Sequence, residues 1–134
     1  MDLRRKQRAV VDALESIKGH EIVVYNTAAM PSMFERVVIA SGDSTRQVKA
    51  LADHLQKKLA SLGAWIYGVE GEANGEWVLV DFGDIVVHIM HPAVRAFYNL
   101  EEVWGGKRVR FAPPKKPARK GKPRGAPARR RRKR

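Results

Sequence analysis

The chain reads as an α/β protein of one domain, a mixed five-stranded sheet with helices packed on it. Three observations carry this reading. Helical and strand periodicities alternate in the order α-β-β-α-β-β-β-α. The segments 37–40, 78–80 and 85–87 are apolar at every position, the pattern of strands covered on both faces by helices. The 134 residues also divide by charge: positions 107–134 hold 15 of the 26 Lys and Arg and no Asp or Glu, leaving 11 basic against 14 acidic residues in positions 1–106. A body of about −3 thus precedes a tail of +15. The expected division is a domain over 1–106 and a Lys/Arg/Pro-rich tail over 107–134.

The elements follow in order. Val10, Leu14 and Ile17 recur at helical spacing and Gly19 offers a left-handed stop, which predicts a helix over about 3–18. Glu21–Tyr25 is a short apolar strand, 26–33 a loop around Pro31, and 34–40 a second strand. Ser44 followed by Gln47 is a capping box, and Val48, Leu51, Leu55, Leu59 and Leu62 then mark one stripe closed by Gly63, which predicts a helix over 44–62. A third strand is expected over 64–69 and a glycine turn over 70–75. Strands over 76–81 and 85–90 follow, joined at Asp81-Phe82-Gly83-Asp84. Pro92 suits the first turn of a last helix, about 92–99, with Val94, Phe97 and Tyr98 as its apolar residues. The tail holds five of the seven prolines, and only Val109 and Phe111 as large apolar residues, so it is expected to be disordered when free.

Composition narrows the function. There is no cysteine, hence no disulfide and no thiolate metal site. The N-terminus is charged and lacks a signal-peptide block, and no apolar run approaches the length of a membrane span. A soluble, cytoplasmic protein is expected.

The chemistry concentrates in Trp77–Pro92, with two carboxylates, two imidazoles and a tryptophan. His88 and His91 stand three apart beside Asp81 and Asp84, but on a strand an odd separation points side chains to opposite faces. His88 then reads as a sheet residue and His91 as a cap of the last helix, with no metal site. Aspartates flanking Phe-Gly are what a tight turn selects, so a catalytic carboxylate pair is not required. Ser41-Gly42-Asp43-Ser44 precedes a helix N-terminus but lacks the lysine and spacing of a phosphate loop. No nucleophile motif or triad spacing appears, and the chain is read as a non-enzyme without a cofactor. A docking surface is the better reading. Trp77, Asp81, Asp84, His91, Pro92 and Tyr98 are expected to gather near one end of the sheet, aromatics for contact area and acids for a basic partner. Arg46 and Lys49, on the first turns of the long helix, read as a solvated or docking face rather than catalytic groups. Arg129, Arg130, Arg131, Arg132, Lys133 and Arg134 form a phosphate-binding run without sequence readout, expected to meet RNA.

Val38–Ala50, Gly68-Val-Glu-Gly71, Trp77–Pro92 and Arg95–Trp104 together closely resemble the ribosomal silencing factor family, also called Iojap-like, over about residues 8–104. The resemblance implies a fold similar to nucleotidyltransferases without their activity. It further implies binding to the large ribosomal subunit through the fourteenth large-subunit ribosomal protein, and translational repression by blocking subunit joining. It implies that Trp77, Asp81, Asp84, His91 and Pro92 touch that protein, with Arg46, Gln47 and Tyr98 beside them. The tail departs from the family pattern and is expected to anchor ribosomal RNA. The rival readings are a nucleotidyltransferase-like enzyme or nucleotide binder, and an RNA-binding protein driven by the tail alone. The sequence leaves the oligomeric state open, a homodimer off the ribosome being one state it allows.

Overall fold

Asp2 opens the first helix by accepting the Arg5 N–H at 2.8 Å, and α1 runs over Leu3–Ser16. The computed structural model describes residues 1–29 and 34–109. The helix stops two residues earlier than the spacing suggests, and the left-handed residue is Lys18 (φ 70°) rather than Gly19. Gly19 serves a different need: a Cβ there would meet the Leu14 carbonyl oxygen at 2.7 Å, because its own N–H closes on that oxygen at 2.8 Å.

Strands β1 (His20–Asn26) and β2 (Arg36–Ser41) form an antiparallel pair, and α2 follows over Thr45–Ser61. The Ser44 hydroxyl caps α2 by accepting the Gln47 N–H at 3.1 Å. The reciprocal bond differs from a standard capping box: the Gln47 amide oxygen takes the Asp43 N–H at 2.6 Å, one residue upstream. Next come β3 (Gly68–Glu70), β4 (Trp77–Asp81), β5 (Ile85–Met90), the helix α3 (Pro92–Tyr98) and a 3-10 segment over Leu100–Lys107. The third strand is shorter than expected: Ala64 and Ile66 pack against the core without ladder partners.

The sheet order is β3-β4-β5-β2-β1-β6, with β2 and β5 parallel and every other pair antiparallel. It therefore has one strand more than the five expected. The addition is β6 (Arg108–Val109), which pairs with the free edge of β1 from the stretch assigned to the tail. From Arg110 on, the tail lies outside the described residues, and so does 30–33 in the loop around Pro31.

One face of the sheet carries the main core. Val10, Leu14, Leu51, Leu55 and Leu59 from the two long helices close on Val24, Val38, Val80, Val87 and Ile89, each fully buried branched side chain contributing about 2 kcal/mol. The opposite face has a smaller cluster, Val23, Tyr25, Val37, Ile39 and Met90, beneath Val94 and Leu100. Here the expectation of full cover fails. A seven-residue α3 reaches only part of this face, and Leu79 and Asp81 of β4 stay half-buried, with Phe97 and Tyr98 exposed. Among the described residues no helix is long and apolar enough to cross a membrane.

Candidate functional site

Strand alternation decides what the uncovered face presents. On β4, Val78 and Val80 point into the main core, so Trp77, Leu79 and Asp81 point the other way. Their cross-strand neighbours on the same face are Met90, His88 and Val86 of β5, and Glu70 of β3 stands opposite Leu79. An aromatic and aliphatic strip thus runs along β4, with carboxylates beside it.

At one end of the strip the Trp77 indole N–H donates to His88 Nδ1 at 3.0 Å, with ring centroids 5.8 Å apart. His88 is 8% exposed, and burial pushes its imidazole down to about 4, so it is neutral and accepts at Nδ1. Trp77 also packs on Tyr98, centroids 5.2 Å apart, and Tyr98 meets Phe97 edge-on at 5.0 Å. Phe97 is 81% and Tyr98 56% exposed. His91 caps α3, its Nδ1 accepting the Ala93 N–H at 3.2 Å, and Pro92 sits exposed in the first turn. Both expectations about the imidazoles hold: His88 is a sheet residue and His91 a cap.

The aspartates lie at the opposite end of β4, so the docking residues do not gather at one end of the sheet. β4 spans about 13 Å between them at ordinary strand rise. Asp81 accepts the Gly83 N–H at 2.8 Å, an Asx turn. Asp84 accepts from Lys6 Nζ at 2.8 Å, tying the turn to α1, and its carbonyl takes the N–H groups of Glu35 and Arg36. Arg46 is exposed near the start of α2. Gln47 is turned inward, its amide nitrogen donating to the carbonyls of Ile17 and Lys18 at 3.3 and 3.2 Å. The run Arg129–Arg134 lies outside the described residues.

Sequence reasoning missed three groups. Phe97 was named only as an apolar residue of the last helix and not among the docking residues, yet it is the most exposed aromatic beside Tyr98. Leu79 was read as covered. Arg95 opened one of the segments of the family resemblance but was assigned no role: it is 6% exposed and donates to the Glu21 carbonyl at 2.7 Å, Ser41 Oγ at 2.9 Å and both oxygens of Glu101 at 2.9 and 3.1 Å. The Arg95 hydrogen bonds hold the Glu101 carboxyl below its ordinary value. Desolvation, then the Glu101 charge, raises the Tyr25 hydroxyl. This network clamps α3 and the 3-10 segment to the sheet, and through them Tyr98 to Trp77. Among the described residues no group of three His, Asp or Glu is placed to hold a metal ion. What the face offers is contact: aromatic area, aliphatic area and acidic neighbours.

A family model described as ribosomal silencing factor during starvation matches residues 1–134. The chain belongs to the ribosomal silencing factor family. It is 49% identical over 112 residues to the ribosomal silencing factor RsfS of Chromobacterium violaceum, covering 84% of this chain and 92% of that one. A crystal structure of a protein from the same bacterium, CV0518, superposes with a TM-score of 0.77 at 49% identity, over 84% of this chain and 93% of the other. The mouse mitochondrial assembly of ribosomal large subunit protein 1 is 32% identical over 98 residues, 71% of this chain and 43% of that longer protein. Membership makes the chain a translation regulator associated with the ribosome.

Proposed function

We propose that this ribosomal silencing factor binds the large ribosomal subunit in the cytoplasm, through the fourteenth large-subunit ribosomal protein, and represses translation by blocking subunit joining. It does so without catalysis or a cofactor. The observation that carries the reading is the strip from the exposed Phe97 and Tyr98 through the half-buried Trp77 to Leu79, in a chain of this family. Exposed aromatics backed by rigid contacts are the anchors of protein interfaces, since they bury much area for little lost freedom. Trp77 is held from behind by His88 and from the side by Tyr98, so its pose is set before the partner arrives.

Asp81 and Glu70 flank the strip and suit a basic ribosomal protein. Pro92 and the free edge of the His91 ring extend the contact at the Trp77 end, with Arg46 beyond. Asp84 contributes through the turn it shares with Asp81. The tail beyond the sheet acts separately, adding an RNA anchor that makes binding salt-sensitive.

Co-sedimentation with isolated subunits tests the reading. Binding to large but not small subunits, with a loss of joined ribosomes, is the expected result. Equal binding to both subunits would assign the function to the tail and sink the docking face.

A further inference from the structure

Helix α1 begins against the usual rule of helix charge. Arg4, Arg5 and Lys6 occupy its first turn, Arg8 the next, and the first turn has no acidic residue, although cations are disfavoured at the positive end of a helix dipole. Lys6 has a structural task, reaching Asp84 at 2.8 Å and the Phe82 carbonyl at 3.3 Å. The three arginines have none that the fold requires. Arg8 makes an exposed 3.5 Å pair with Asp12, and among the described residues neither Arg4 nor Arg5 has an ion-pair partner.

These side chains line a groove of about 560 Å³ between the start of α1 and the end of α2, facing Lys58. The lining holds four cations against two carboxylates. One of the two, Asp2, is spent on the Arg5 N–H as the helix cap. The groove therefore carries concentrated positive charge on a body whose overall charge is about −3. An anion over it would gain from the guanidinium groups and from the helix end together.

We infer that this groove is a second nucleic-acid contact, binding backbone phosphates of RNA through Arg4, Arg5 and Arg8, independently of the C-terminal tail. Planar guanidinium forks suit phosphate oxygens, and several arginines in one groove match successive phosphates better than a single small anion. Arg4, Arg5, Arg8 and Asp12 lie on the side of α1 away from Val10 and Leu14, so the groove opens on the outside of the helix layer, across the sheet from the Trp77–Asp81 strip. The phosphate site therefore does not depend on the function proposed above.

Two measurements on the full chain test the inference. In the first, binding to purified large subunits is followed against salt for the wild type and for the combined variant Arg4→Gln, Arg5→Gln, Arg8→Gln. The expected result is a log–log salt dependence shallower by about 2, on the basis of roughly 0.7 to 0.9 per lost phosphate contact. The matching arginine-to-lysine variant should keep the wild-type slope. An unchanged slope in the glutamine variant overturns the proposal. In the second, the arginine Nε–Hε NMR signals of the wild type are followed while duplex RNA of about one turn is added. Shifts at Arg4, Arg5 and Arg8 are expected; shifts confined to the tail overturn the site even if the subunit slope falls, since an acidic protein would then be the partner. If the full chain ignores large subunits altogether, the proposed function fails while the duplex measurement still decides the groove.

Discussion

The pairing of Trp77 with His88 predicts how stability depends on pH. The imidazole is pushed down to about 4 by burial, from an ordinary value of 6.5. Below 6.5 the unfolded chain takes up a proton that the folded ring refuses, so the unfolded state binds more protons and stability rises with pH. The contribution is whole above about 6.5 and is lost as pH falls from there towards 4. Each unit corresponds to about 1.4 kcal/mol, which gives a loss of about 2 kcal/mol between pH 7 and pH 5. Protonation also places a hydrogen on Nδ1, facing the Trp77 indole N–H, so the 3.0 Å bond cannot survive it. Urea denaturation at pH 7, 6 and 5 should show this loss in the wild type. His88→Leu should cost about 1 kcal/mol at pH 7 through the lost hydrogen bond, and its pH dependence over the same window should be flatter by about 2 kcal/mol. The Trp77 indole signal in NMR should move with the wild-type transition. Parallel pH profiles for wild type and variant would refute the reasoning.

Arg95→Leu takes this donor from the Ser41 hydroxyl and the Glu21 carbonyl and leaves the part-exposed Glu101 carboxylate with the Tyr25 hydroxyl at 3.4 Å, which should cost about 2–3 kcal/mol, read as a fall in Tm. Because Arg95 holds the Glu101 carboxyl down, its stabilisation is present above the ordinary glutamate value and lost as pH falls through the depressed one; Glu101→Gln should remove that acid-side loss in thermal melts across pH 3–6. Tyr98→Ala is expected to weaken binding to large subunits by about 10-fold or more, as an exposed interface aromatic, while changing Tm little because the ring is mostly outside the core. Asp81→Asn keeps an acceptor for the Gly83 N–H, so it should retain the fold and report only the charge through a slower association rate with large subunits, measured by stopped flow.

Local signals in the sequence located most of the fold. Ser44, the α2 stripe and Pro92 mark helix starts by chemistry that acts within a few residues, and the structure places α2 and α3 where they indicate. What stayed hidden depends on partners far away in the chain. Arg95 is buried because Glu21 and Ser41 lie 74 and 54 residues away and meet it only once β1 and β2 pair. β6 is two residues in a basic stretch, and it exists because β1 offers a free edge. At the candidate site the residue types were legible, but their assignments were not. Asp84 looks like a docking acid until Lys6 is seen to reach it from α1. Gln47 looks like a surface residue until its amide is found bonded to the end of that helix.

Why the strip is open has a physical answer in α3. A longer α3 would have to carry the chain past Asn99 in helical conformation. The helix instead ends at Asn99, which adopts the left-handed conformation (φ 47°), one of the few non-glycine residues to do so readily. Its N–H closes on the Arg95 carbonyl at 2.9 Å, and the chain turns into the 3-10 segment that brings Glu101 back to the Arg95 guanidinium. Termination and anchoring are thus one device. The residue that is clamped beneath the helix also accepts, through its backbone, the bond that stops it. Extending α3 would displace Glu101 from Arg95 and leave a buried cation unpaired, a penalty larger than the burial of one leucine would return. The short helix is therefore the stable solution for this sequence, and it leaves Tyr98 exposed and Trp77 and Leu79 half-buried on a rigid support. A face held by the same bonds that hold the fold together is pre-organised for a partner, which is what the proposed block of subunit joining requires.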